Sequence, residues 1–137
     1  MKITNLIIKA INKNNGKITI RTLRGKEHDV YLNVAEGYIY SETALRQQKI
    51  DLKLFDMIVD FMRSQGGRVT KGNGRNAKVG EGKCPLDSLC GFIATEYYGK
   101  QVGESTFDPV FAVVAILDYV GVVKNLRGEV VLVNAYK

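Results

Sequence analysis

Apolar residues recur at helical spacing over the first dozen positions. Ile3, Leu6, Ile7, Ala10 and Ile11 fall on one face, with Lys2, Asn5, Lys9 and Asn12 on the other, so the pattern predicts an amphipathic helix. Asn14-Asn15-Gly16 stops it, because Asn and Gly tolerate the left-handed backbone of a helix end. Alternation replaces helical spacing next, with Ile18 and Ile20, then Val30, Leu32 and Val34, and a turn around Arg24-Gly25 pairs them as a hairpin. Tyr38-Ile39-Tyr40 adds a short third strand, and Ser41 or Thr43 caps a small helical turn through Gln48. From Asp51, Leu52, Phe55, Ile58, Val59 and Met62 share one helical face, while Lys53, Asp56, Asp60 and Arg63 share a solvated one. Gln65-Gly66-Gly67 ends that helix.

Helical spacing returns at Leu86, Leu89, Cys90, Ile93 and Tyr97, with Pro85 in the first turn, where proline is favoured, and Gly99 as the stop. Ser105 or Thr106 opens a last helix, Phe107 to Val120, which is apolar almost all round and therefore expected to be buried on several sides. Val122-Val123 and Val130 to Val133 flank Asn125-Leu126-Arg127-Gly128, a hairpin pattern. Thr22-Leu23-Arg24-Gly25 and Asn125-Leu126-Arg127-Gly128 echo each other, each between two strand-like runs that follow a helix. Chance similarity and a duplicated helix-plus-hairpin unit both account for the echo.

With 137 residues, 45% hydrophobic and 25% charged, the chain suits one globular domain, or one with a small appendage. No apolar run reaches the roughly 18 residues of a membrane helix. The N-terminal stretch is periodic and lacks a small-residue cleavage site, which argues against a signal peptide. Two cysteines without an export signal fit a reducing cytoplasm better than a disulfide framework.

Charge changes the picture. Between Arg63 and Lys83 lie Arg63, Arg68, Lys71, Arg75, Lys78 and Lys83, six glycines and the single acid Glu81. That stretch is net +5 in a chain of net +6. A glycine-spaced cationic ribbon between two amphipathic helices is suited to lie along an anion, above all a phosphate backbone. Gly72-Asn73-Gly74-Arg75-Asn76, with Lys71 and Lys78, offers backbone amides to a phosphate, since glycine permits close approach.

From Asp51 onward the order of elements is helix, extended segment, helix, helix, hairpin. Together with Ala115-Ile116-Leu117-Asp118-Tyr119-Val120-Gly121-Val122-Val123 running into Arg127-Gly128, it resembles a winged-helix domain. The resemblance implies an α+β architecture. Residues 1–50 would form an N-terminal helix–hairpin unit and residues 51–137 a winged-helix-like domain, the two able to pack as one. It implies that Pro85–Tyr98 and Phe107–Val120 are the helix–turn–helix pair, that the second lies in a DNA major groove, and that Lys124 and Arg127 sit on the β-wing. Here the chain departs from the family. Val110 to Leu117 offer no Arg, Lys, Asn or Gln to base edges, and Asp108 would repel phosphate, which turns the expectation from base readout either toward backbone contacts by the loop and wing or toward protein–protein assembly.

Other chemistry is thin. Ala77 to Cys84 has a superficial likeness to a nucleotide-binding P-loop, but the first glycine is missing and Cys84 stands where magnesium chemistry needs Ser or Thr. What survives is Lys83 beside a helix N-terminus, a favourable place for a phosphate. Cys84, expected at that helix's N-cap, would have a lowered pKa, yet the lone His28 lies in a hairpin turn and no spacing brings the two together. Two cysteines and one histidine fall short of a structural zinc site. Glu27, His28 and Asp29 read as a solvent-facing cluster; Tyr98 reads as pointing outward, where it would stack on a base or pack on a sugar beside lysines, or, the more frequent case, as partly buried at the helix end.

The resulting expectation is a cytoplasmic, non-enzymatic, nucleic-acid-binding regulator or accessory protein. Its partner is duplex DNA, a homodimer is one compatible assembly, and neither a cofactor nor a metal is expected. Phosphate contacts fall to Arg63, Arg68, Lys71, Arg75, Lys78 and Lys83, with Lys124 and Arg127 on the wing. The alternative is a protein-interaction module that docks through helix 107–120 or through Tyr38 and Tyr40. A third reading, an enzyme using Cys84 or a phosphate-cradling loop, would require activity lost on changing Cys84 or Lys83.

Overall fold

A computed structural model describes residues 2–75 and 77–137. The first helix, α1 (Ile3–Lys13), buries Ile3, Ile7 and Ile11, one residue per turn, and closes where Asn15 and Gly16 take positive φ. Strands β1 (Lys17–Arg21), β2 (Glu27–Asn33), β3 (Tyr38–Tyr40) and β4 (Lys49–Asp51) follow as an antiparallel meander. Its register pairs Ile18 with Val30, Leu32 with Ile39 and Ile39 with Ile50. Alternation therefore puts Ile18, Ile20, Val30, Ile39 and Ile50 on the core face. The turn predicted to be helical after Ser41 is irregular, and the chain returns from it as β4, a strand too short to announce itself in the sequence.

Helix α2 (Lys53–Ser64) buries Leu54, Phe55, Ile58, Val59 and Met62. Its Asp56 is not part of a solvated face. The Asp56 carboxylate accepts the Ile3 amide at 2.8 Å, the Thr4 amide at 3.4 Å and the Thr4 hydroxyl at 2.5 Å. Helix α1 has no capping side chain of its own, so a carboxylate more than fifty residues away satisfies its first amides.

Beyond α2 come β5 (Arg68–Thr70), a long loop, and α3 (Leu89–Phe92), which continues as a π-helical turn through Tyr97. Helix α4 (Val110–Tyr119) leads into β6 (Val123–Asn125) and β7 (Glu129–Leu132). These strands form a second antiparallel sheet in the order β5-β7-β6, so the strand before the helix pair lies beside the last strand of the hairpin. Helix α4 packs against β1 of the first sheet and β6 of the second. Seven of its ten residues are buried, as its uniform apolarity predicts. Residues 1–50 and 51–137 thus share one hydrophobic core, from Ile3 on α1 to Leu132 on β7. No described helix is long and apolar enough to cross a membrane.

Candidate functional site

The cationic stretch is a folded loop rather than an open ribbon. Gly74 donates its amide to Asp108 Oδ2 at 2.9 Å, and Asp108 Oδ1 accepts the Val110 amide at 3.0 Å, so one carboxylate ties the loop to the start of α4. Asn73 donates to the Lys83 carbonyl at 2.7 Å and accepts the Arg75 amide on its side chain at 2.8 Å. These bonds close the loop into a ring. Val79 is fully buried beneath it and exchanges backbone bonds with Gly103 and Glu104. Glycine is required where the loop meets α3. A Cβ at Gly72, whose φ is +69°, would lie 2.6 Å from Ser88 Oγ, and one at Gly74 would lie 3.1 Å from Cys90 Sγ.

The ring encloses an open cleft of about 440 Å³ that Arg75, Lys78 and Lys83 line, with Glu81 as its one acid. All three cations are exposed, and Lys78 Nζ donates to Ser105 Oγ at 2.6 Å. Among the described residues, none of the three has a carboxylate within ion-pair distance. A concave site with a net positive lining is suited to an anion.

The other predicted cations divide. Arg63 donates to the Tyr136 carbonyl at 2.8 Å and pairs with Asp60 at 3.2 Å, so it stitches α2 to the chain beyond β7. Arg68 pairs with Glu129 across β5 and β7. Lys71 is half-buried; burial lowers its pKa from the ordinary lysine value, and nearby Asp118 opposes that shift. Arg63 and Arg68 are engaged by the protein itself, Lys71 is partly withdrawn from solvent, and none of the three lines the cleft. Lys124 and Arg127 are exposed on the β6–β7 hairpin. Its Gly128 carbonyl accepts the Lys71 amide at 3.0 Å, which joins the hairpin to the start of the loop. Asn76 lies outside the described residues.

Several expectations are corrected. Helix α3 begins at Leu89, not Pro85, because Ser88 caps it by accepting the Gly91 amide at 3.1 Å. Residues 85–88 form a turn instead, closed by the Ser88 amide on the Pro85 carbonyl. Lys83 and Cys84 are therefore not at a helix N-terminus, and Cys84 is buried beside Cys90. The last helix starts at Val110 rather than Phe107, with Asp108 rather than Ser105 or Thr106 holding its first turn. Of that helix only Phe111, Asp118 and Tyr119 are exposed, and the rest of its surface is taken up by the core.

Of the two readings of Tyr98, partial burial holds and the outward stacking position does not. Its ring packs edge-on against Tyr97 and Phe107, and burial pushes its hydroxyl pKa up. His28 is 5% exposed rather than solvent-facing, with Nδ1 2.7 Å from Thr43 Oγ1 and its ring edge-on to Phe111. Desolvation lowers its pKa from 6.5, aided by Lys26. No cluster of three or more His, Cys, Asp or Glu among the described residues could hold a metal ion.

A larger hollow, about 590 Å³, lies on the solvent face of the first sheet between Thr19, Tyr31, Tyr40 and the acids Glu27, Asp29 and Glu42. Lys17 and Arg21 pair with two of those acids, and the wall has the wrong sign for a phosphate. Charge, not size, selects the 73–83 cleft. Asn73, Ser105 and Asp108 stand out in the sequence in other roles, but not as residues that brace this loop by hydrogen bonds to Lys83, Arg75, Lys78 and Gly74. Asp108-Pro109 was the available sign, since an Asp followed by Pro is a common helix start. Compared with known proteins, the chain matches no protein-family model, no curated protein and no solved structure.

Proposed function

We propose that this protein binds nucleic acid, duplex DNA in the first place, through the phosphate backbone. It would act as a non-enzymatic regulator or accessory factor built on a winged-helix-like arrangement. The observation that carries the reading is the concave cluster of Arg75, Lys78 and Lys83, exposed and without carboxylate partners among the described residues, in a loop braced by Asp108. The order α2-β5-α3-α4-β6-β7 and the sheet order β5-β7-β6 support the winged-helix part, with Lys124 and Arg127 on the hairpin as the wing. The buried α4 separates this arrangement from a base-reading winged helix. Contacts would be electrostatic and indifferent to base edges, because backbone phosphates carry no direct sequence information.

The test is titration of labelled duplex DNA with the wild-type chain and with Arg75→Glu/Lys78→Glu at several salt concentrations. Micromolar or tighter binding at low salt, steep salt dependence and loss in the double variant are expected. Absence of binding at about 50 mM salt, where phosphate contacts are strong, would overturn the proposal.

A further inference from the structure

We propose that Cys84 and Cys90 are a disulfide-forming pair that locks the end of the cationic loop to helix α3 when the protein meets an oxidant. Their Sγ atoms lie 2.8 Å apart inside the core, and about 0.8 Å of further approach would reach the roughly 2.05 Å of a sulfur–sulfur bond. The backbone imposes this proximity. Between the two cysteines the chain reverses through the Pro85–Ser88 turn, where the Ser88 hydroxyl and amide both donate to the Pro85 carbonyl. Gly91 lets that carbonyl nest against the helix, since a Cβ there would lie 2.1 Å from it.

Both cysteines are held by their own backbones as well. Cys84 donates to Glu81 at 3.0 Å and accepts from Gly80 at 2.8 Å, while Cys90 donates to Lys71 at 2.9 Å. The sulfur atoms are thus held near each other by a hydrogen-bonded backbone on both sides. Gly74 of the loop packs against Cys90, where a Cβ would lie 3.1 Å from Sγ.

The chemistry is thiol–disulfide exchange with a small-molecule disulfide. One cysteine thiolate attacks it, forming a mixed disulfide and releasing one small thiol. The second cysteine then attacks the protein sulfur of that mixed disulfide and releases the other. Two protein thiols lose two protons and two electrons, and the small disulfide is reduced to two thiols. Burial and the contact with Cys84 push the Cys90 thiol pKa up, which slows thiolate attack from the closed core. The bridge would fix Lys83, the neighbour of Cys84 and part of the cleft wall, against α3. The pairing itself is independent of what the cleft binds.

The test uses the intact chain, reduced and then equilibrated in buffers of rising oxidised-to-reduced glutathione ratio. It is next acid-quenched, unfolded, alkylated and weighed. The expected result is a switch from two alkyl groups to none, with a mass lower by two hydrogens. Cleavage at Asp87 should leave two peptides joined through Cys84 and Cys90. Retention of both free thiols at the most oxidising ratio, or formation of only glutathione adducts or chain-to-chain dimers, would overturn the proposal. Because the wild-type chain supplies every readout, no variant that misfolds can obscure it.

Discussion

Neutralising the eight candidate cations one at a time should divide them into two groups by salt dependence. Arg75, Lys78, Lys83, Lys124 and Arg127 are exposed without a carboxylate partner among the described residues, whereas Arg63 and Arg68 are paired and Lys71 is half-buried near Asp118. Each phosphate contact on B-DNA contributes about 0.9 to the slope of log affinity against log salt. If all five exposed cations touch phosphates, the wild-type slope is about −4.5, a fall of roughly 500-fold between 50 and 200 mM salt. Lys83→Ala should reduce the slope to about −3.6 and the fall to roughly 150-fold. Arg63→Ala and Arg68→Ala should leave the slope where it was, because a cation already neutralised releases no counterion on binding.

Fluorescence anisotropy of a labelled duplex at five or more salt concentrations reads the slope directly. Thermal melts of each variant separate lost contacts from lost structure, which matters for Arg63 because it also holds the Tyr136 carbonyl. The reasoning fails if Arg63→Ala or Arg68→Ala flattens the slope as much as Lys83→Ala while the melt is unchanged.

Asp56→Ala should lower stability by about 2 kcal/mol, the combined scale of a lost helix cap and lost charge-assisted bonds. Urea titration followed by circular dichroism would measure it, and an unchanged midpoint would mean that α1 does not depend on this cap. Gly91→Ala should cost about 3 kcal/mol or more, since the new methyl meets the Pro85 carbonyl and Leu86 Cα, both backbone and unable to swing aside. A soluble variant with wild-type melting would refute that close approach. His28 has a folded pKa below its unfolded value, so the unfolded chain binds more protons between the two. Stability should therefore fall as pH drops from about 6.5 toward the folded pKa, and His28→Gln should remove that part of the profile in urea titrations at several pH values.

Periodicity was enough for the elements that bury one clean face. The Ile3–Ile7–Ile11 stripe, the Ile18–Val30 pairing, the α2 face and the Val123–Leu132 hairpin all follow from local spacing, because side-chain direction is set by helix and strand geometry before any tertiary contact forms. The uniform apolarity of α4 likewise foretold its burial. The charge excess between Arg63 and Lys83 was equally plain.

What the sequence could not convey is which polar groups already have partners. Asp56 reads as a solvated acid until α1 is packed against α2, Arg68 as a free cation until β7 brings Glu129 alongside, and His28 as a turn residue until Phe111 covers it. The shape of the cleft depends on Asp108, 34 residues along the chain from Gly74. Composition determined that the loop is cationic. Only the tertiary structure decided which of its charges remain available, because pairing and burial depend on neighbours that the chain supplies from a distance.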